Sequence, residues 1–276
     1  MPAHLDPGHH LLSFHQYGAL PMSTTPWFTS RPNGQARLRM FCFSYAGGSG
    51  STYLPWQARL DPAIELVAVQ LPGRASRLRE APIDSLPALV EQIAARIQFP
   101  DRLPFVFYGH SLGGLVAFEL ARYCKLRWMR TPRKLFISGC DAPRHRKAIR
   151  NVHELEGEAF IEALAQYNGT PPELLEHQEL MSLLAPAIRA DFAMAANYSY
   201  RPGPLLDMPI DVLSGRDDVD LDLEHLGAWQ RETSADCQVQ WFEGDHFFIH
   251  PGQAEAAVLA HLNTELAALL RDGAPA

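Results

Sequence analysis

A chain of 276 residues, 47% of them hydrophobic, can bury one large core, and a single α/β domain of this size is ordinary. The formal charge of −7 supplies no basic face that would release counterions, which argues against general nucleic-acid affinity. No run is long and apolar enough to cross a bilayer, and the N-terminus lacks the basic start and apolar stretch of a secretion signal.

Cys42, Cys124, Cys140 and Cys237 lie far apart with no Cys-x-x-Cys pair, so they read as buried, reduced thiols rather than zinc or redox ligands. A cytoplasmic protein with no membrane partner is expected. Met1 to Pro21 carries His4, His9, His10 and His15 among Pro, Gly and polar residues without periodicity. It reads as a disordered leader rather than a metal-binding tract, with the folded domain over 22–276. Met22 before Ser23-Thr24-Thr25 would make a natural start.

Short apolar runs then alternate with helical patterns. Leu38 to Ser44, Ile64 to Gln70, Pro104 to Tyr108, Lys134 to Gly139, Ile210 to Ser214 and Val239 to Phe242 read as strands covered on both faces. Ser85 to Ile97, Leu115 to Cys124, Leu223 to Glu232 and Gln253 to Leu270 carry apolar residues at helical spacing. The alternation implies an α/β fold with a mostly parallel sheet flanked by helices, whose ligands bind beyond the carboxyl ends of the strands.

The connection from Asp141 to Pro209 is too long for a plain loop and reads as an inserted helical lid over about 141–209. Within it, Leu155 to Tyr167 ends at Asn168-Gly169 as a C-cap, Pro171-Pro172 starts another segment, and Gln178 to Tyr198 forms a longer helix. Leu183, Leu184, Ile188, Phe192 and Met194 of that helix are expected to face the core or an acyl pocket.

Gly109-His110-Ser111-Leu112-Gly113 lies between a strand and a helix, the sharp turn on which a nucleophilic serine is presented. Side chains two residues away on either side would strike the neighbouring strand or helix, hence the flanking glycines. Ser111 is the candidate nucleophile, and the Leu112 N–H at the helix start is an oxyanion donor. The bland reading makes Ser111 a helix cap.

A serine needs a base. His246, after the last strand and before the final helix, is the strongest of twelve histidines, with His250 the runner-up. His246-x-x-x-His250 suggests a metal pair, but Pro251 moves the helix start beyond it and no third ligand is evident. No metal or organic cofactor is expected. Gly215-Arg216-Asp217-Asp218 follows a strand and supplies the carboxylate that orients the base, Asp218 ahead of Asp217; the alternative is a solvated turn. The order Ser111, Asp218, His246 is that of α/β-hydrolases. Tyr45-Ala46-Gly47-Gly48-Ser49-Gly50 offers a close-approaching loop with the Ala46 N–H as second oxyanion donor.

Phe43-Ser44-Tyr45-Ala46-Gly47-Gly48, Leu71-Pro72-Gly73-Arg74, Gly109-His110-Ser111-Leu112-Gly113-Gly114, Ala190-Asp191-Phe192 before Tyr198-Ser199-Tyr200, and Gly244-Asp245-His246-Phe247-Phe248 occur in that order. Over Arg37 to Leu270 the chain resembles the stand-alone type II thioesterases of polyketide and nonribosomal peptide synthesis. The resemblance implies an α/β-hydrolase with a mobile helical lid that removes stalled or wrongly loaded acyl groups from the phosphopantetheine arm of carrier proteins. It implies Ser111, Asp218 and His246 as triad. Tyr45 stands where histidine or phenylalanine is common, and the leader is additional.

Carrier domains are usually acidic, so basic clusters are candidate docking sites. Arg144, His145, Arg146, Lys147 and Arg150 open the lid segment, and Lys125, Arg127, Arg130, Arg133 and Lys134 follow the elbow helix; a solvated face is the competing reading. Arg74 and Arg77 read as structural ties of the loop after the second strand. A general carboxylesterase or lipase would use the same triad, and a non-catalytic binder on a hydrolase fold is the remaining class.

Overall fold

The computed structural model describes residues 26–31, 33–97, 102–147 and 150–272. The leader expected over 1–21 lies outside the described residues. Seven strands, β1 (Phe28–Ser30), β2 (Leu38–Phe43), β3 (Ile64–Val69), β4 (Phe105–His110), β5 (Leu135–Ser138), β6 (Ile210–Gly215) and β7 (Cys237–Phe242), form one sheet in the order β1-β3-β2-β4-β5-β6-β7. All neighbouring pairs are parallel except β1 with β3.

Parallel strands need helical crossovers, which cover both faces of the sheet and demand apolar residues on both. Every residue of β2, β3, β4, β5 and β6 is accordingly buried. Side chains alternate between the two layers. Phe41, Phe43, Phe105 and Phe107 pack with helices α1 (Leu86–Ala94) and α2 (Leu112–Leu126), while Met40, Cys42, Val106 and Tyr108 pack with the last helix, α6, whose residues Val258, Leu262 and Leu266 close the other face. That helix spans Glu255–Asp272.

Between β5 and β6 the chain makes α3 (Gly157–Tyr167), α4 (Pro172–Leu175) and α5 (Gln178–Ala196). These helices hold a small cluster of their own around Phe160, Leu164, Met181, Ile188 and Phe192. Asn168 ends α3 in the left-handed conformation with φ 56°, its N–H donating to the Ala165 carbonyl; asparagine tolerates that region better than most residues. Ile188, Phe192 and Met194 are buried, but Leu183 is 53% exposed. Adjacent leucines on a helix lie about 100° apart, so Leu183 and Leu184 cannot both point inward.

Three further expectations are corrected. Leu223–Glu232 is 3-10 rather than α: its buried residues Leu226, Trp229 and Glu232 recur every third position, the period of the tighter helix. β7 is a sheet edge with a half-exposed face rather than a strand covered on both sides, and it starts two residues earlier than expected, at Cys237. β1 was not anticipated, because three residues give no periodicity to read.

Candidate active site

Ser111 sits between β4 and α2 with φ 55° and ψ −118°. No L-residue adopts this pair cheaply; such a position costs roughly 1–3 kcal/mol and persists only where its surroundings enforce it. Here the Ser111 N–H donates to the Ser138 carbonyl at 2.7 Å on the neighbouring strand. A Cβ at Gly109 would lie 2.0 Å from the Gly113 carbonyl oxygen, and one at Gly113 would lie 2.1 Å from that of Phe43. The flanking glycines are therefore a steric requirement of helix packed against strand.

Ser111, Leu112, Ala46 and His246 line a single cavity of about 290 Å³ at the carboxyl edge of the sheet. Asp218 lies behind His246, fully buried, and its Oδ2 is 2.8 Å from the His246 Nδ1. That bond engages Nδ1 and leaves Nε2 as the nitrogen free to exchange a proton. The ring of His110, the residue before Ser111, is centred 5.1 Å from the ring of His246. Burial is the largest influence on His246 and pushes it down, yet the hydrogen bond that its ring donates to Asp218 and the charges of Asp218, Asp220 and Asp245 together hold it above the ordinary histidine value. His110 goes the other way: burial, then His246 and His250, push it well below that value, and its Nδ1 pairs with the Ser138 hydroxyl at 2.9 Å.

The runners-up have other partners. Asp217 is exposed beside the turn. His250 Nε2 is 3.0 Å from the Tyr45 hydroxyl, so the His246-x-x-x-His250 pair does not converge on a common ligand position by way of that nitrogen. Tyr45 itself lines the cavity, edge-on to Phe247 at 5.1 Å. Asp218, Asp220 and His246 each bring one ligand atom within 4.8 Å of the others, but Asp218 and His246 already satisfy one another.

The loop carrying Ala46 is held from an unexpected direction. Asp191 on α5 accepts the Gly47 N–H at 2.7 Å and grips Arg74 through both oxygens, at 2.5 and 2.8 Å. The Arg74 guanidinium also donates to the Gly48 carbonyl at 3.1 Å. Side-chain exposures of 5% for Arg74 and 0% for Asp191 make this a buried ion pair that ties helix, loop and sheet together. Among the described residues the Ala46 N–H takes no backbone acceptor, and Leu112, as the first residue of α2, has no intrahelical partner for its own. Ala46 and Leu112 line the same cavity as Ser111, and Leu112 opens a helix N-terminus, where negative charge is stabilised.

The remaining wall is mixed. Leu164, Ile188, Phe192 and Ala195 from α3 and α5 form an apolar side, and Cys140 lies near the serine with its thiol donating to the Asp141 carbonyl at 3.6 Å. The basic residues opening the inserted segment divide: Arg144 pairs with Glu232 at 3.0 Å, whereas Arg146, Lys147 and Arg150 line the cavity. Of the second cluster, Lys134 pairs with Asp211 and Glu265, and Lys125 with Asp207. No helix among the described residues is long and apolar enough to cross a membrane.

A thioesterase-domain family model matches residues 38–266. The gramicidin S biosynthesis protein GrsT of Aneurinibacillus migulanus is 38% identical over 230 residues, covering 83% of this chain and 90% of that protein. Thioesterase PikA5 of Streptomyces venezuelae is 34% identical over 220 residues, covering 79% and 78%. The solved structure of the type II thioesterase BorB from the borrelidin biosynthetic cluster aligns with a TM-score of 0.78 at 32% identity, over 88% of this chain and 98% of that one. A match across most of the chain, with relatives this similar on the same fold, means that this protein belongs to the thioesterase family and is a hydrolase acting on thioesters.

Proposed function

We propose that the protein hydrolyses acyl thioesters carried on the phosphopantetheine arm of carrier proteins, and so clears stalled or misloaded acyl groups from polyketide or nonribosomal peptide assembly lines in the cytoplasm. The observation that carries the chemistry is the buried Asp218 bonded to a His246 that shares a cavity with the strained Ser111. The pathway context is supported by relatives named for gramicidin S and borrelidin biosynthesis. The helices α3 to α5 act as the lid over the site.

In this reading His246 removes the Ser111 proton as the oxygen attacks the thioester carbonyl. The Ala46 and Leu112 N–H groups take the oxyanion, each worth about 3 kcal/mol. His246 then protonates the departing thiol, a water enters, the same imidazole takes its proton, and the acyl-serine breaks to free acid and Ser111. The carboxylate of Asp218 holds the tautomer and stabilises the imidazolium.

Mass spectrometry of a panel of acyl-loaded carrier proteins tests the assignment. Release of free acid, faster than from the ethyl ester of the same acyl group, is the expected outcome. Faster cleavage of the oxygen ester would make a general carboxylesterase the better reading.

The pH profile has a definite sign. The base works only when neutral, so kcat/KM rises with pH through the His246 titration, with a midpoint above about 6.5. Asp218→Asn removes the two largest raising influences and leaves burial opposed only by Asp220 and Asp245, so the midpoint falls and the plateau drops by about 10^4. A midpoint unmoved by that substitution would mean that Asp218 is not the partner.

A further inference from the structure

Three cations, Arg146, Lys147 and Arg150, line the cavity. Arg146 is half-buried, its guanidinium donating to the Ala195 carbonyl at 3.3 Å and lying 5.3 Å from the centre of the Tyr198 ring. Lys147 donates to the carbonyls of Val219 and Leu221, and Arg150 to the side-chain carbonyl of Gln166. Among the described residues none of the three forms an ion pair, in contrast to Arg144 beside them with its Glu232. Two carboxylates share the cavity lining, Asp141 and Asp220. Asp141 is spoken for, its oxygens accepting the Lys147 and Asp222 N–H groups at 3.0 and 2.8 Å. Asp220 gathers with Asp218 and His246, although Lys147 and Arg150 are near enough to act on its charge. Three cations against two carboxylates leave a positive surplus, and two of the cations, Lys147 and Arg150, are exposed to solvent, while Leu164, Ile188, Phe192 and Ala195 supply an apolar part of the lining.

We propose that Arg146, Lys147 and Arg150 form an anion subsite at the cavity rim that takes the phosphodiester of the substrate's pantetheine arm. The assignment rests on the function proposed above. The carrier protein is too large to enter, so the phosphodiester that joins arm to carrier must stay at the mouth, whereas the acyl group travels inward to Ser111 and the apolar wall. Guanidinium forks match phosphate oxygens in pairs, and cations already anchored to carbonyls lose little freedom on binding. An acyl carboxylate is the same chemistry from another source, and it would have to lie on the inner, apolar side.

The test compares propionyl-4′-phosphopantetheine, propionyl-pantetheine and malonyl-pantetheine as substrates of the full chain and of Arg146→Gln/Lys147→Gln/Arg150→Gln, with Arg150→Gln alone as a milder variant. The readout is the ratio of kcat/KM values. The preference of the intact enzyme for the phosphorylated over the phosphate-free propionyl substrate should fall by about tenfold or more in the triple variant and partway in the single one. An unchanged ratio overturns the subsite, and so does a loss confined to malonyl-pantetheine, which would assign the cations to an acyl carboxylate. Calorimetry of 4′-phosphopantetheine against pantetheine on Ser111→Ala separates this proposal from the activity: tighter binding of the phosphorylated arm is expected even with hydrolysis absent, and equal binding refutes the subsite. Should the intact enzyme cleave none of the thioesters, the hydrolytic reading fails while this binding comparison still decides the subsite.

Discussion

Ser111→Ala should lower thioester cleavage by about 10^5-fold, roughly 7 kcal/mol in the barrier, while leaving the fold intact. The loss is large because the hydroxyl is the bond-forming atom: His246 and the two backbone donors remain, but the covalent route is closed. The fold survives because alanine occupies the same backbone position, held by the Ser138 carbonyl and by the Gly109 and Gly113 approaches. Incubation with an acyl-pantetheine followed by intact-mass measurement should show an acyl adduct on the natural chain alone, and a fluorophosphonate should label that chain but not the variant. An adduct retained in Ser111→Ala would place the nucleophile elsewhere. Ser111→Gly provides an independent reading of the turn. Glycine relieves the positive-φ strain, so this equally inactive variant should be more stable than Ser111→Ala by about 1–3 kcal/mol in urea unfolding.

Asp191→Ala carries the second large effect. It strands the Arg74 guanidinium in a nearly dry site and deprives the Gly47 N–H of its acceptor; breaking a buried pair from one side costs about 3–5 kcal/mol. Catalysis should suffer separately, because Gly47 adjoins Ala46 and the loop loses the contact that sets the direction of its donor. A drop in kcat of about 10^2 corresponds to one misplaced oxyanion donor. The two effects divide in the double variant Arg74→Met/Asp191→Leu. Apolar replacement of both partners should recover much of the stability, whereas kcat should stay low, since no acceptor returns for Gly47. Full recovery of kcat in the double variant would reduce the pair to a stability element.

The residues that proved legible in the sequence share a reason. Strands buried on both faces must be apolar throughout, so β2 to β6 announced themselves; the elbow glycines are required sterically, and the order Ser111, Asp218, His246 follows from where strands of such a sheet end. What escaped notice depends on partners distant in the chain. Arg74 and Asp191 are separated by 117 residues, and neither residue type states which opposite charge it will meet. Arg146 and Arg144 look alike in a basic run, yet the fold gives one a carboxylate and the other a cavity. Leu183 and Leu184 are equally apolar, and only the roughly 100° between adjacent helical positions separates the exposed one from the one turned inward. β1 has three residues, too few for any pattern.

Cys140 brings a thiol to the lining of the cavity that holds the Ser111 hydroxyl. A thiolate exchanges readily with thioesters, and transfer to it would yield another thioester of similar energy rather than a free acid. Burial pushes this thiol up to about 12, so near neutrality it stays protonated and a poor nucleophile. The hydrocarbon packed around the sulfur thus works as chemical insulation: under the proposed mechanism it keeps this thiol from diverting an incoming acyl group into self-acylation.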